Sequence, residues 1–248
     1  MWHFDEHTIG LLVNVVSPDA SEPGRIVRAA ARDARLLSSI LQDRRLHGWL
    51  LERPHEMIAI APHAFFAALL YRVRRDLATR AYTHERDSGR MVVVFDIKDV
   101  RHLLDDDAVI AYLSWVLASF VHIHSVTRSV RVRRSVWRRY TVSDYDVHSL
   151  LGYVGRIEAE RRPIVYRRIG EVALFQSGVF ADSSSLPELY ELGPDSYRKA
   201  LEGGAVASDE AEAVDAVREL FLAATKAYTF MTDHYLGALR TKVFAPRA

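Results

Sequence analysis

Along most of the chain, apolar residues recur at steps of three and four, the spacing of one face of an α-helix. The longest stripe lies near the C-terminus, where Val214, Val217, Phe221, Ala224, Tyr228, Met231 and Tyr235 alternate these steps behind Ser208, Asp209 and Glu210. A serine cap and an acidic first turn favour a helix start there, which predicts one helix from about 208 to 241. The same spacing links Val27, Ala30, Ala34, Leu37 and Leu41, and also Val109, Leu113, Val116, Phe120 and Ile123. Behind Pro62 it links Phe66, Leu69, Val73 and Leu77, and behind Pro163 it links Val165, Ile169, Val172, Phe175 and Val179. Both prolines sit where a first helical turn tolerates a missing N–H. Gly178 reads as a left-handed helix end with Phe180 folding back on the preceding turn, and Gly203-Gly204 as a second helix stop.

Strand signals are sparse. Met91 to Phe95 is a short apolar β-branched run, and Ser129 to Arg133 alternates with period two. Segments near 91 to 96 and 127 to 133 therefore predict at most a small β-hairpin, too little for a parallel α/β sheet, which excludes Rossmann and TIM-barrel folds. Loop-like stretches fall at Ser17 to Gly24, Thr83 to Arg90, Phe180 to Leu186 and Gly203 to Ser208, none of them long enough to divide the chain. The expected fold is mainly α, one compact domain over 1–248 with about eight helices.

Composition narrows the chemistry. With 49% hydrophobic and 26% charged residues the chain is too apolar for disorder. No cysteine is present, so disulfides, thiolate zinc sites and cysteine nucleophiles are excluded. The opening Met1-Trp2-His3-Phe4-Asp5-Glu6-His7 lacks a basic, then long apolar leader, and Ile9 to Val16 is too short for a membrane span, so a cytoplasmic location without membrane contact is expected. The net charge of +1 hides an uneven distribution. Between Val126 and Arg168 eleven arginines face four acids, whereas between Asp182 and Glu219 ten acids face three bases. Such opposed blocks predict either an external anionic partner for the first or mutual packing.

The segment Tyr166-Arg167-Arg168-Ile169-Gly170-Glu171-Val172-Ala173-Leu174-Phe175-Gln176-Ser177-Gly178-Val179-Phe180, followed by Tyr190-Glu191-Leu192-Gly193-Pro194-Asp195-Ser196-Tyr197, resembles an uncharacterised family of bacterial, mainly helical cytoplasmic proteins. The resemblance spans about residues 108–240. Gly170-Glu171 stands where the family has Gly-Asp, and Leu189-Tyr190 where it has paired tyrosines. A helical bacterial cytoplasmic protein is what the resemblance implies; it carries no activity.

The sharpest chemical feature is the arginine-rich segment. Arg128, Arg131, Arg133, Arg134, Arg138 and Arg139 are interleaved with Trp137 and Tyr140, a composition that supplies guanidinium forks for phosphates and a surface on which a base can stack. A second candidate is a metal site from the pair His122 and His124 with Asp144 and His148, since an extended chain points alternate imidazoles to one side. Asp105-Asp106-Asp107 reads as a helix cap. Ser177 lacks the glycine and strand of a nucleophile elbow, and no HExxH, GxGxxG or GxxxxGK[ST] motif occurs. Three functions follow as expectations. The first is a binding or regulatory protein that takes nucleic acid or another polyanion on its arginines. The others are a metal-dependent, hydrolase-like enzyme using the His/Asp cluster and a protein-interaction scaffold. The sequence names no cofactor, and the last helix leaves a homodimer open.

Overall fold

The computed structural model describes residue 2 and residues 4–80, 83–87, 90–94, 97–121, 125–133, 136–180 and 186–244, with the backbone alone described within 83–94 and 125–142 and at Leu186. The chain begins with α1 (Glu6–Val16), α2 (Pro23–Ala30), α3 (Ala34–Leu41), α4 (Arg44–Glu52), α5 (Pro54–Ile60) and α6 (Pro62–Ala78). Strands β1 (Thr83–Asp87) and β2 (Arg90–Val94) precede α7 (Ile97–Leu104) and α8 (Asp107–Ser119). Next come β3 (Ser125–Arg133), β4 (Val136–Ser143), α9 (Val147–Val154), α10 (Arg162–Val179) and α11 (Leu186–Glu202). The described chain closes with α12 (Ala211–Glu219), α13 (Phe221–Met231), a π-helical turn Thr232–Leu236 and α14 (Leu239–Val243).

The protein is mainly α, and its helix starts follow local chemistry. Asp5, Asp33, Asp43, Asp106 and Asp146 each accept a hydrogen bond from a backbone N–H of the first turn they precede. Pro23, Pro54, Pro62 and Pro163 occupy first-turn positions, as expected for the last two. The buried apolar residues form one contiguous cluster running from Ile9 to Phe244. At its centre α6 packs on α7, α8 and α13, while α10 packs on α8, α9, α11 and α13. Among the described residues no helix is long and apolar enough to cross a membrane.

Several expected elements are divided differently. The stripe from Val27 to Leu41 spans two helices, because the Asp33 carboxylate caps α3 and ends the continuity. The single helix expected over 208–241 is broken at Leu220, whose φ of −106° and ψ of 39° leave the helical region, and again by the π-helical turn. The stripe itself survives those breaks, with Val214, Val217, Phe221, Ala224, Tyr228 and Met231 all buried. It is therefore part of this chain's own core.

Among the described residues the β content is two separate hairpins. β1 pairs with β2 and β3 with β4, both antiparallel, so the segments near 91–96 and 127–133 each pair with a sequence neighbour and not with one another. Short hairpins close at less entropic cost than a pairing across the intervening helices. Part of the stretch Thr83 to Arg90, expected as loop, is strand β1.

Gly178 also differs from expectation. It lies inside α10, and a Cβ there would stand 2.5 Å from the Tyr228 Cβ and 3.0 Å from the Thr225 carbonyl oxygen. Close approach of α10 and α13 is what this glycine permits. The seam is fastened by Thr229 Oγ1, which donates to the Gly178 carbonyl at 3.0 Å, and by the Tyr228 hydroxyl, which donates to the Leu113 carbonyl at 2.7 Å. We expect Gly178→Ala to lower stability by about 1–3 kcal/mol through overpacking. Urea unfolding checks this: the midpoint falls with an unchanged slope. Two neighbouring expectations hold: the Phe180 ring packs edge-on against Phe175 at 5.8 Å, and Gly204 ends α11 at φ +69°.

Candidate functional site

The arginine-rich segment is carried by the β3–β4 hairpin. Its register sets Arg128 opposite Tyr140, Ser129 opposite Arg139, Val130 opposite Arg138 and Arg131 opposite Trp137. The pairing then shifts, with Arg133 opposite Val136 after a bulge, so simple alternation does not carry from Arg131 to Arg133. Arg134 lies outside the described residues.

Of the metal candidates, His122 and His124 lie outside the described residues. The Asp144 carboxylate accepts from Arg168 Nε at 2.9 Å, an engagement that competes with a cation. His148 is largely exposed at the start of α9, its Nδ1 3.8 Å from the helix-capping carboxylate of Asp146. Among the described residues no group of three or more His, Asp or Glu gathers in a way that would hold a metal.

A site the sequence reading missed lies where α8, α10 and the start of α12 meet. Glu171 is 2% exposed on α10, and both of its oxygens are used: Arg167 Nε donates to Oε1 at 2.9 Å and an Arg168 Nη1 donates to Oε2 at 3.0 Å. Each guanidinium continues outward. Arg168 reaches Asp144 and donates to Ser119 Oγ at 2.9 Å, while Arg167 pairs with Glu210 at 3.0 Å. The result is a ladder, Asp144, Arg168, Glu171, Arg167, Glu210, from the foot of the β3–β4 hairpin to the entry of α12. Aromatic faces complete the coordination of charge: the Arg168 guanidinium lies 4.1 Å over Phe120, and that of Arg167 lies 5.2 Å from Trp115 and 5.7 Å from Tyr112.

Burial opposes the charge on Arg167, but the Glu171 carboxylate, aided by Glu210, outweighs it and holds the guanidinium pKa above its ordinary value. Beneath the ladder the Tyr112 hydroxyl donates to that of Tyr197 at 3.2 Å. Burial raises both phenol pKa values, and the Glu171 charge adds to the rise. These groups are held neutral and fixed, which suits positioning more than proton transfer.

Among the residues whose side chains are described, the ladder joins the two charge blocks at one point. Glu210 of the acidic segment meets Arg167 of the basic one. Asp195 and Glu202 instead pair with Arg198, Asp195 also with Lys199, and Asp215 and Glu219 with Arg218, all within the acidic segment's own helices. A single sequence signal pointed at the ladder: Glu171 follows Arg168 by three and Arg167 by four, the spacings at which helical side chains meet.

Beside Arg167 opens a cavity of about 170 Å³. Ala108, Ala111 and Ala213 form its small apolar lining, Tyr112 and Trp115 its aromatic wall, and His63, Asp209 and Glu210 its polar side. The His63 Nε2 lies 3.3 Å from the Ala111 carbonyl oxygen. No family model matches the chain, and no characterised protein or solved structure is significantly similar to it.

Proposed function

We propose that the protein binds nucleic acid through the β3–β4 hairpin, in a binding or regulatory role. The observation that carries this reading is the register, which brings Arg128, Arg131, Arg138 and Arg139 with Trp137 and Tyr140 onto one antiparallel ribbon. Nine residues of β3 span about 30 Å, and a two-stranded ribbon of this kind fits the major groove of B-form DNA. Arginines would neutralise phosphates, and Trp137 would stack on an exposed base.

Fluorescence anisotropy with labelled duplex DNA, single-stranded DNA and RNA across a salt series tests the proposal. With about five phosphates neutralised, log Kd against log salt should have a slope of about 4 to 5 on duplex DNA. Replacing three arginines together, Arg131→Ala, Arg133→Ala and Arg138→Ala, should weaken binding and reduce that slope by nearly three. Absence of binding to all three probes at low salt, or binding indifferent to salt, overturns the reading.

A further inference from the structure

We propose that Arg168 is the positioning residue of the β3–β4 ribbon: its one guanidinium holds both legs and aims the ribbon at a stiff partner, duplex DNA. The choice of partner rests on the function proposed above, whereas the hold on the ribbon does not. Among the described residues β3 pairs only with β4, and a two-stranded ribbon has no sheet to steady it. Its direction must come from its root.

Arg168 supplies that root. On the outgoing side its Nη1 donates at 2.9 Å to the hydroxyl of Ser119, the last residue of α8. On the returning side its Nε donates to Asp144, the first residue after β4, at 2.9 Å to Oδ1 and 3.3 Å to the carbonyl oxygen. The guanidinium is itself fixed, since Glu171 accepts from Nη1 at 3.0 Å and the Phe120 ring lies 4.1 Å away. Neighbours extend the hold on the returning leg. The Ser143 N–H donates to Ser149 Oγ at 3.2 Å, Gln176 Nε2 donates to the Tyr145 carbonyl at 2.8 Å, and the Tyr145 ring packs edge-on against Phe175 at 5.8 Å. Ser143, which closes the ribbon opposite Ser125, and the two residues after it are thus fastened to α9 and α10. Such a root matters most for a rigid ligand. Duplex DNA is stiff over about 150 base pairs, so a swinging ribbon would lose affinity in being ordered against it. A single strand can follow the ribbon and loses less.

The test leaves Arg168 in place, since removing it would strand Glu171, and releases the legs with Ser119→Ala and Asp144→Ala together. In the folded double variant, amide hydrogen exchange across β3 and β4 should quicken about tenfold while that of α10 stays as in the wild type. By fluorescence anisotropy, duplex DNA should bind about tenfold more weakly and single-stranded DNA less than about threefold more weakly, with the salt slope unchanged. Asp144→Ala alone separates aim from charge. Removing an acid beside an arginine-rich ribbon strengthens binding if only charge matters, and weakens it if the ribbon loses its aim. Unchanged exchange in the ribbon, duplex binding as tight as wild type or tighter in either variant, or equal weakening on both DNAs overturns the proposal. If the wild type binds no nucleic acid, the function proposed above fails together with the choice of partner, and ribbon exchange alone decides the role of Arg168.

Discussion

Glu171→Ala is expected to destabilise the protein by about 3–5 kcal/mol, because it removes one member of a buried ionic network and leaves the others charged. Both guanidiniums that close on Glu171 are themselves mostly buried, with side chains 16% exposed, and each keeps only its outer carboxylate when Glu171 is gone. In a chain of this size such a loss corresponds to a fall in Tm of roughly 6–20 °C. Glu171→Gln retains the shape and one good acceptor, so it should fall between wild type and Glu171→Ala. Chemical denaturation decides the matter, and an unfolding free energy for Glu171→Ala within about 0.5 kcal/mol of wild type would show that Glu171 is not the pivot of the ladder. A double-mutant cycle with Arg167→Ala isolates the pair from the rest of the network.

The ladder explains how much of this molecule a reader of the sequence can see. The predicted stripe of α8 is buried at Val109, Leu113, Val116 and Phe120, and that of α10 at Ile169, Val172, Phe175 and Val179, because periodicity and burial are two views of one face. Local chemistry was equally legible where it is self-contained, as in the Asp106 cap ahead of α8 and the Gly204 stop after α11. Continuity was not legible. Nothing in the spacing through Leu220 distinguishes one helix from two, since a single residue can leave the helical region while the apolar face stays in phase. Nor does counting charge separate Arg167 and Arg168 from the ribbon arginines. Their burial is decided by the approach of α8 and α12, elements far away in sequence. Gly178 was misread for the same reason: its partner, Tyr228, lies fifty residues on.

Stability should also fall as the pH drops from about 6.5 to 4, with His47 as the responsible group. His47 on α4 is 2% exposed, and its Nε2 lies 2.9 Å from the Leu41 carbonyl oxygen. A carbonyl only accepts, so the neutral ring carries its proton on Nε2, and Nδ1 is left buried without a hydrogen-bond partner. Charging the ring means protonating that nitrogen. Burial disfavours the charged ring most strongly, the Leu41 contact partly offsets it, and the nearby Arg75 and Arg72 oppose it further while Asp76 helps. Together these push the His47 pKa down to about 4. The unfolded chain takes up this proton below about 6.5, whereas the native state refuses it until about 4, so protons favour unfolding throughout that window. The expected cost is about 3 kcal/mol by pH 4, fully absent above pH 6.5 and levelling off below 4. His47→Gln keeps a donor for Leu41 and has no proton to gain, so the difference in unfolding free energy between the two proteins should shift by that amount between pH 7 and 4. Parallel pH profiles would assign the acid sensitivity to other groups.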